Sequence, residues 1–435
     1  MAKRRFEHFA FDDLHTIKQQ VLHWSARFNT CCYLDNNQHD AIPSGYECLA
    51  AAGEIANCTA KAGNAFAELK RFSEHQDDWL FGHFSYDLKQ ETEQSPSLLP
   101  DFIQFPDLFF FVPKILIIVR ETGIEIGSLE SDHHEIFGEI ILTALPALNN
   151  NPAISSAIHQ RIPKDEYLEI IRSLQQHILR GDCYEINFCQ EFFAGGAVLQ
   201  PAPLFQLLSS VSPSPFSAFY RLDEKYLICA SPERYLKKNG ELISSQPIKG
   251  TAARDLQNPY RDEYLKLQLA DSAKERAENV MVVDLVRNDL SKISEPDSVR
   301  VAELFGIYSF AQVHQMISTI TGKPQEGLHW TEMIFRTFPM GSMTGAPKKR
   351  VLQLIEQYEK SRRGLFSGAL GYVTPGHDFD FNVVIRSLLY NQGTQYLAYF
   401  AGSAITAESI PELEYEECLV KVAAIENILK NPFPG

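Results

Sequence analysis

The sequence lacks an excess of positive charge, and this absence limits its possible partners. Its 435 residues contain 40 Lys+Arg against 55 Asp+Glu, which gives a formal net charge of -15. A protein of this sign repels nucleic acids and anionic membrane surfaces, so neither is expected as a partner. An anionic substrate would need a local group of cations, backbone N–H groups or a metal ion to hold it.

Paired cysteines and targeting segments are missing as well. The eight cysteines include no CxxC pair and no zinc-ligand spacing, which favours buried, reduced thiols. The basic start of the chain has no apolar run of the kind found in signal peptides. The apolar run 109–119 is too short to span a bilayer and contains Pro113 and Lys114. These absences predict a cytoplasmic protein.

The sequence does contain enough apolar residues for a large core. It is 45% hydrophobic and 22% charged, which is ordinary for a globular protein. Its length allows two or three domains, or one large unit with intertwined halves. A polar stretch at 149–152 predicts a linker or long surface loop, so we expect an N-terminal region over 1–150 and a second region over 155–430, interleaved in one large unit.

Hydrophobic periodicity predicts helices that alternate irregularly with strands. Short turns between the strands favour antiparallel pairing. The predicted helices are 168–178 with Gly181 as the C-terminal glycine, 271–290 and 412–429; the predicted strands are 109–112, 114–119, 184–193, 216–222, 226–230, 368–373, 381–389 and 396–402.

Two pairs of glutamates have a spacing that brings both carboxylates to one side of a helix. Glu275 and Glu278 are three residues apart, and so are Glu414 and Glu417. Carboxylates in this arrangement can hold a divalent metal ion. A solvated helix face is the alternative interpretation of each pair.

Lys249 and Glu233 are candidates for covalent and acid catalysis. Lys249 precedes a glycine after a strand-like run, and it can act as a nucleophile if burial or a nearby cation lowers its pKa, because only the neutral amine attacks carbon. Glu233 follows Ser231-Pro at a predicted strand end, where a carboxyl group can serve as general acid for a leaving hydroxyl. Ordinary turn residues are the alternative for both.

A glycine-rich turn over 341–345 precedes a helix predicted to begin at Ala346, with Pro347 in its first turn. Such a turn exposes N–H groups that can bind an anion, although a plain capping turn remains the alternative. The pattern Gly-x4-Gly-Lys-Ser/Thr is absent, which argues against an ATPase. His314 and Arg386 lie in strand-like surroundings, where a lone histidine is more often a satisfied core residue.

Taken together and in order, these segments resemble the chorismate-utilising enzymes, a family that includes anthranilate synthase component I, aminodeoxychorismate synthase component I, isochorismate synthase and salicylate synthase. The resemblance covers about residues 155 to 430, and the N-terminal region is only loosely similar to that of anthranilate synthase component I. The motifs that carry it are Gly181-Asp-Cys-Tyr-Glu-Ile-Asn187, Ser231-Pro-Glu-Arg234, Pro247-Ile-Lys-Gly-Thr251, Lys274-Glu-Arg-Ala-Glu278, Val283-Asp-Leu-Val-Arg-Asn-Asp-Leu290, His314, Gly341-Ser-Met-Thr-Gly-Ala-Pro-Lys348, Ile385-Arg386, Gly402-Ser-Ala404 and Glu414-x-x-Glu417.

The resemblance implies an α+β fold in which two large, mostly antiparallel β-sheets pack as a sandwich with helices outside and the site in the cleft. It implies that Mg2+, held by Glu278 and Glu417 with Glu275 and Glu414 close by, bridges to the ring carboxylate of chorismate. It also implies substrate contacts by Arg386, the backbone near Gly402, Thr251, Thr344, Tyr372 and His314.

One position distinguishes the members of the family. Anthranilate synthases usually carry alanine where this chain has Lys249, and aminodeoxychorismate synthases typically carry lysine. The resemblance then implies that Lys249 adds to C2 of the ring as the C4 hydroxyl departs with help from Glu233, after which ammonia enters at C4 and displaces the lysine. The product, 4-amino-4-deoxychorismate, leads to 4-aminobenzoate and folate. The isochorismate and salicylate synthases have a lysine base where this chain has Glu185, and many aminating relatives have glutamine there.

The sequence contains no amidotransferase domain with a nucleophilic cysteine, so we expect ammonia to come from a separate glutamine amidotransferase subunit in a heterodimer. Two other functions stay open. Anthranilate synthase component I, which serves tryptophan biosynthesis, would also eliminate pyruvate from the ring. A noncatalytic partner or regulatory module would bind chorismate without metal-dependent turnover.

Overall fold

The computed structural model describes residues 3–39, 45–129, 132–146, 156–310 and 313–430. Within these residues no helix is long and apolar enough to cross a bilayer. All eight cysteines are buried and free, as the sequence predicted. The helices of the described chain are α1 Leu14–Ser25, α2 Ala65–Glu74, α3 Lys89–Thr92, α4 His133–Ile141, α5 Lys164–Leu179, α6 Pro201–Val211, α7 Pro259–Asp271, α8 Ala273–Ser291, α9 Trp330–Thr337, α10 Lys348–Tyr358 and α11 Pro411–Lys430.

Every strand pairing among the described residues is antiparallel. The strands are β1 Arg5–Phe9, β2 Thr30–Asp35, β3 Cys48–Ala60, β4 Leu80–Phe84, β5 Leu108–Arg120, β6 Gly123–Ser128, β7 His159–Gln160, β8 Glu185–Ala194, β9 Phe216–Leu222, β10 Lys225–Ser231, β11 Arg234–Asn239, β12 Leu242–Gln246, β13 Ile248–Ala253, β14 Arg300–Ser309, β15 Val313–Gly322, β16 Gly345–Ala346, β17 Ala369–Val373, β18 Phe379–Asn382, β19 Ser387–Asn391 and β20 Tyr396–Ile405.

All strands belong to one continuous hydrogen-bonded sheet with two halves, and the long strands β3 and β5 contribute to both halves. β5 pairs with β4 through its N-terminal part and with β6 through its C-terminal part. One half has the order β1-β6-β5-β3-β2-β9-β10-β19-β20-β8, and the other has the order β5-β4-β17-β18-β11-β12-β15, with β13 and β14 also pairing with β15.

The expectation of two separate strands around Pro113 was wrong, because β5 runs through this residue. Proline has no N–H to donate to a sheet, so it is tolerated only at an edge or an irregularity. Pro113 lies opposite Glu54, where the register of β3 against β5 shifts. The irregularity lets a single strand serve both halves of the sheet.

The two halves enclose an apolar layer, as the alternation along β2 shows. Cys32 and Leu34 pack in a core cluster that also contains Leu236 and Phe381 of the other half. Tyr33, which points the opposite way, belongs to a second cluster with residues of α1, α4, α5, α6, α10 and α11. The predicted α+β sandwich of mostly antiparallel sheets with helices outside is therefore confirmed, with the refinement that the two sheets share strands.

Strands of the N-terminal region pair with strands from later in the chain. β2 pairs with β9, and β4 pairs with β17. The division at about residue 150 stays a prediction, because the polar stretch 149–152 lies outside the described residues.

Most predicted elements are present, with three shifted boundaries near the site. The predicted helix 271–290 begins at Ala273, because the Ser272 side chain accepts a hydrogen bond from the Glu275 N–H and caps it. The helix predicted from Ala346 begins at Lys348. The predicted single strand 381–389 is divided into β18 and β19, and Arg386, with a φ of 51°, lies in the break.

Candidate active site

A cavity of about 800 Å³ brings together side chains from both halves of the sheet and from α8 and α11. Its walls include the end of β10, the start of β13, the turn at Ser342, the break before β19 and the middle of β20. Nine residues predicted from the sequence line it: Glu233, Lys249, Thr251, Glu275, Glu278, Arg386, Gly402, Glu414 and Glu417.

The position of Lys249 depends on an irregularity in β13. The register of β13 against β15 shifts between Ile248 and Thr251, and Gly250 has a φ of 91°. Such a bulge changes the direction in which a strand side chain points. A Cβ at Gly250 would also lie 3.0 Å from Oε2 of Glu275, so the glycine permits a close approach to α8. Gly250 therefore allows the bulge in β13 and the close approach to α8 that together set the position of Lys249.

Lys249 forms a buried ion pair with Glu185, the first residue of β8. The Lys249 Nζ donates to Oε1 of Glu185 at 3.1 Å, and the two side chains are 12% and 3% exposed. Burial alone would lower the pKa of Lys249, but the carboxylates of Glu185 and Glu278 outweigh it and raise that pKa. The condition stated for a nucleophilic lysine, a lowered pKa, is therefore not met in the free protein, where the raised pKa favours the ammonium form of Lys249.

Glu233 lies in the short connection between β10 and β11, and its side chain is buried. Its Oε1 accepts a hydrogen bond from the Ser342 hydroxyl at 2.6 Å. Burial raises the pKa of Glu233 to about 7, although the bond from Ser342 and the charge of Lys249 act in the opposite direction. Near neutral pH a substantial fraction of this carboxyl group is protonated and can act as an acid.

The four glutamates predicted to hold metal lie on two helices that meet at the cavity. Burial raises the pKa of Glu278 to about 7 and also raises that of Glu275, both on α8. On α11, Glu414 is buried, and Glu417 pairs with Lys421 at 2.7 Å. Burial would raise the pKa of Glu417, but the Lys421 ammonium outweighs it and lowers that pKa.

The carboxylate oxygens of these four glutamates are chemically suited to a hard dication. Within the described chain, no group of three or more His, Cys, Asp or Glu side chains is arranged to hold a metal ion. Five glutamates and four basic side chains line the cavity. Carboxylate oxygens are the ligands that Mg2+ prefers, and several partly buried carboxylates are stabilised when a dication neutralises them.

Arg386 and Gly402 also line the cavity. Burial lowers the pKa of the Arg386 guanidinium, which has no hydrogen bond or ion pair within the described part of the chain. The Gly402 carbonyl accepts a hydrogen bond from Lys421 Nζ at 2.8 Å. A Cβ at Gly402 would lie 2.3 Å from the Phe188 carbonyl oxygen, so only glycine fits there.

The remaining three predicted substrate contacts do not line the cavity. His314 is buried and both its ring nitrogens are within hydrogen-bond distance of protein oxygens, Ser309 Oγ at 2.8 Å and Asp262 Oδ1 at 3.1 Å. The Thr344 hydroxyl is buried and donates to backbone carbonyls of its own turn. Tyr372 packs against the aromatic rings of Tyr46, Trp79 and Phe81.

Sequence reasoning missed two residues that organise the site. Ser342 was included in a glycine-rich motif, but nothing in the motif showed that its hydroxyl bonds Glu233. Arg363, which is 2% exposed, donates to Glu359, to the Met343 carbonyl at 2.7 Å and to the Asn187 carbonyl at 2.8 Å. Arg363 thereby joins the turn that carries Ser342 to the strand that carries Glu185.

The comparisons with known proteins show the family of this chain. The model of the chorismate binding enzyme family matches residues 29–427, and the chain belongs to that family. Among its relatives, aminodeoxychorismate synthase component 1 of Klebsiella aerogenes is 35% identical over 352 residues, which are 80% of this chain and 77% of that protein. Anthranilate synthase component 1 of Thermus thermophilus is 31% identical over 355 residues, 80% of this chain and 76% of that protein.

A solved structure supports the fold. Anthranilate synthase component I from Streptococcus pneumoniae superposes with a TM-score of 0.75 at 24% identity, covering 88% of this chain and 94% of that chain. At this identity the likeness concerns the arrangement of helices and strands alone.

Proposed function

We propose that this protein converts chorismate and ammonia to 4-amino-4-deoxychorismate, as an aminodeoxychorismate synthase component 1. The observation that carries the proposal is Lys249, a largely buried amine that lines the cavity together with the carboxyl group of Glu233. The relative from Klebsiella aerogenes supports it by its name. The 4-aminobenzoate made from this product would serve folate biosynthesis.

In the proposed reaction, Lys249 and Glu233 divide one difficult substitution into two displacements. Lys249 Nζ bonds to C2 of the ring while Glu233 protonates the departing C4 hydroxyl. Ammonia then bonds to C4 and Lys249 leaves. The pKa of about 7 of Glu233 allows it to be the acid near neutral pH. Arg386 and the backbone near Gly402 would orient a carboxylate, and Thr251 also lines the cavity.

A magnesium ion would be held by Glu278 and Glu417, with Glu275 and Glu414 close by. When bound, it would neutralise the ring carboxylate of chorismate, which the carboxylates of the four glutamates would otherwise repel. His314, Thr344 and Tyr372 would act on substrate only indirectly, because none of them lines the cavity.

The ammonia would come from a separate glutamine amidotransferase subunit, with which this chain would form a heterodimer. The relatives' name "component 1" supports a second component. We place the protein in the cytoplasm because its cysteines are unpaired and its sequence has no run typical of a signal peptide. We expect no nucleic-acid or membrane partner, because the net charge of -15 would repel both. The chain would consist of interleaved regions over 1–150 and 155–430.

Identification of the product tests this function. The protein is incubated with chorismate, magnesium and ammonium chloride, the products are separated, and their masses are measured by mass spectrometry. We expect an amine that keeps the enolpyruvyl group. Anthranilate with released pyruvate would instead establish the anthranilate synthase alternative, and bound but unconsumed chorismate would indicate a noncatalytic module.

A further inference from the structure

We propose that Glu185 is the base that takes a proton from Lys249 before Lys249 bonds to the ring, and that Glu185 returns this proton when the amine leaves. The inference deepens the proposed function and rests on it, since it concerns the covalent step of that reaction. It assigns a catalytic role to a residue whose purpose the sequence left open.

The contacts of Lys249 identify Glu185 as its proton acceptor. Within the residues that the structure describes, Nζ of Lys249 has one hydrogen-bond partner, Oε1 of Glu185 at 3.1 Å. The other oxygen of that carboxylate, Oε2, is buried and has no partner. A buried carboxylate with an unused lone pair can accept a proton without first breaking a bond to another group.

The covalent step proposed for this chain needs a group that takes a proton from Lys249. An ammonium ion has no lone pair, so Lys249 must lose a proton before it can bond to carbon. The anionic groups that act most strongly on Lys249 are Glu185 of β8, Glu278 of α8 and Glu233 beside β10, and its charge also acts on Glu275 and Glu417, which belong to the proposed metal ligands. Glu233 already accepts from Ser342 and is needed as the acid, and Glu278 is needed for the metal. Glu185 has neither task.

The backbone of Glu185 is held rigidly, which keeps the short distance to Lys249. Glu185 pairs with Ala346 of β16. The neighbouring residue Gly345 approaches so closely that a Cβ there would lie 2.1 Å from the Glu185 carbonyl oxygen. Proton transfer depends on a short donor-acceptor distance, and this packing fixes the backbone from which the Glu185 side chain reaches Lys249.

The steps balance in protons and bonds. An N–H bond of Lys249 breaks, its proton bonds to Glu185, and the freed electron pair bonds to C2. The two ring double bonds each move by one position, the C4–O bond breaks, and the hydroxyl leaves as water with the proton of Glu233. Ammonia then bonds to C4 as the C2–N bond breaks and the double bonds return. The new ammonium gives one proton to Glu233, and Glu185 returns its proton to Lys249.

Glu185→Gln distinguishes a base from a group that only holds the ammonium ion. Glutamine keeps the hydrogen-bond acceptor but cannot take the proton, so we expect kcat for amination with ammonium chloride at pH 7 to fall about 100-fold or more. If Glu185 only held the ammonium by its charge, its removal would lower the pKa of Lys249 and leave kcat unchanged or raised. That result would overturn the inference.

Two further variants keep the test independent of folding effects. Glu185→Asp retains a carboxylate that is one methylene farther from Lys249, and we expect a loss of kcat about tenfold smaller than in Glu185→Gln; equal losses of kcat would overturn the role as base.

Glu191→Gln is the matched control on the same strand. Glu191 is equally buried and pairs with Arg161 at 2.9 Å, but it does not line the cavity, so its kcat should stay within about twofold.

The wild-type protein separates this inference from the function beneath it. If wild type forms no 4-amino-4-deoxychorismate, the proposed function fails and takes the inference with it. If wild type forms the product and Glu185→Gln forms it equally fast, the function stands and only the assignment of Glu185 fails.

Discussion

Burial of the Glu233 carboxyl group destabilises the folded protein at alkaline pH, but it keeps the group protonated near neutral pH, as an acid catalyst requires. Its pKa is raised from 4.5 to about 7 by burial in the folded chain. The folded state therefore holds a proton that the unfolded state releases between these two values of pH. The contribution of Glu233 to stability is present below pH 4.5 and is lost as the pH rises through about 7.

Glu233→Gln should therefore stabilise the protein at alkaline pH while disabling it. We expect the free energy of unfolding of the variant, relative to wild type, to rise between pH 5 and pH 8 by on the order of 2 kcal/mol. Turnover should fall about 100-fold, because the amide cannot protonate the leaving hydroxyl. Denaturant unfolding at the two values of pH checks this, and a difference that does not change with pH would contradict the buried, protonated carboxyl.

Individual residues show where sequence reasoning works and where it fails. Lys249 and Glu233 were identified from residue type and local pattern, and both line the cavity. His314 was placed on the substrate, but Val313 and Gln315 line the cavity instead. Successive residues of a strand point to opposite faces, and the sequence does not state which face is the inner one.

Arg363 is the residue through which separate elements of the site are held together. Its guanidinium donates hydrogen bonds to the Glu359 carboxylate at the end of α10, to the Met343 carbonyl in the turn after α9 and to the Asn187 carbonyl in β8. Removal of this buried arginine would leave the buried Glu359 carboxylate without its counter-ion and, among the described residues, with only the Cys189 N–H as a donor.

We expect Arg363→Ala to lower the free energy of unfolding by about 3 to 5 kcal/mol. The matched control is Arg350→Ala, which removes an ion pair with Asp182 between side chains that are 37% and 34% exposed. Such surface pairs contribute at most about 1 kcal/mol. Denaturant midpoints of both variants, measured with unchanged slopes, provide the comparison; equal midpoints would show that Arg363 does not connect these elements.

The elements themselves were predicted well wherever the apolar pattern was regular. α5 and its C-terminal glycine, the strands β8, β9 and β10, and the last helix α11 lie close to their predicted positions. The break between β18 and β19 was missed, because the apolar run 381–389 continues through it. The break lies at Arg386, whose backbone has a left-handed conformation with a φ of 51°. Arginine rarely adopts this conformation, so the residue type does not predict the break.

The cavity as a whole depends on contacts between distant parts of the chain. Lys249 and Glu185 are 64 residues apart, and Ser342 and Glu233 are 109 apart. Periodicity describes which face of an element is apolar, but not which elements meet. The resemblance to a known family supplied this missing information, and the fold it implied is the one observed.

The central claim concerns a covalent bond between Lys249 and the substrate. The most direct measurement is the intact mass of the protein after rapid quenching of a reaction with chorismate and magnesium but without ammonia. We expect a protein species that is heavier than the free protein by the mass of chorismate less one water, with the added mass on the peptide that contains Lys249. Lys249→Ala should form no such species, although it should still bind chorismate in the presence of magnesium. Active wild-type protein that forms no such species, or a Lys249→Ala variant that still aminates chorismate at the wild-type rate, would contradict the account.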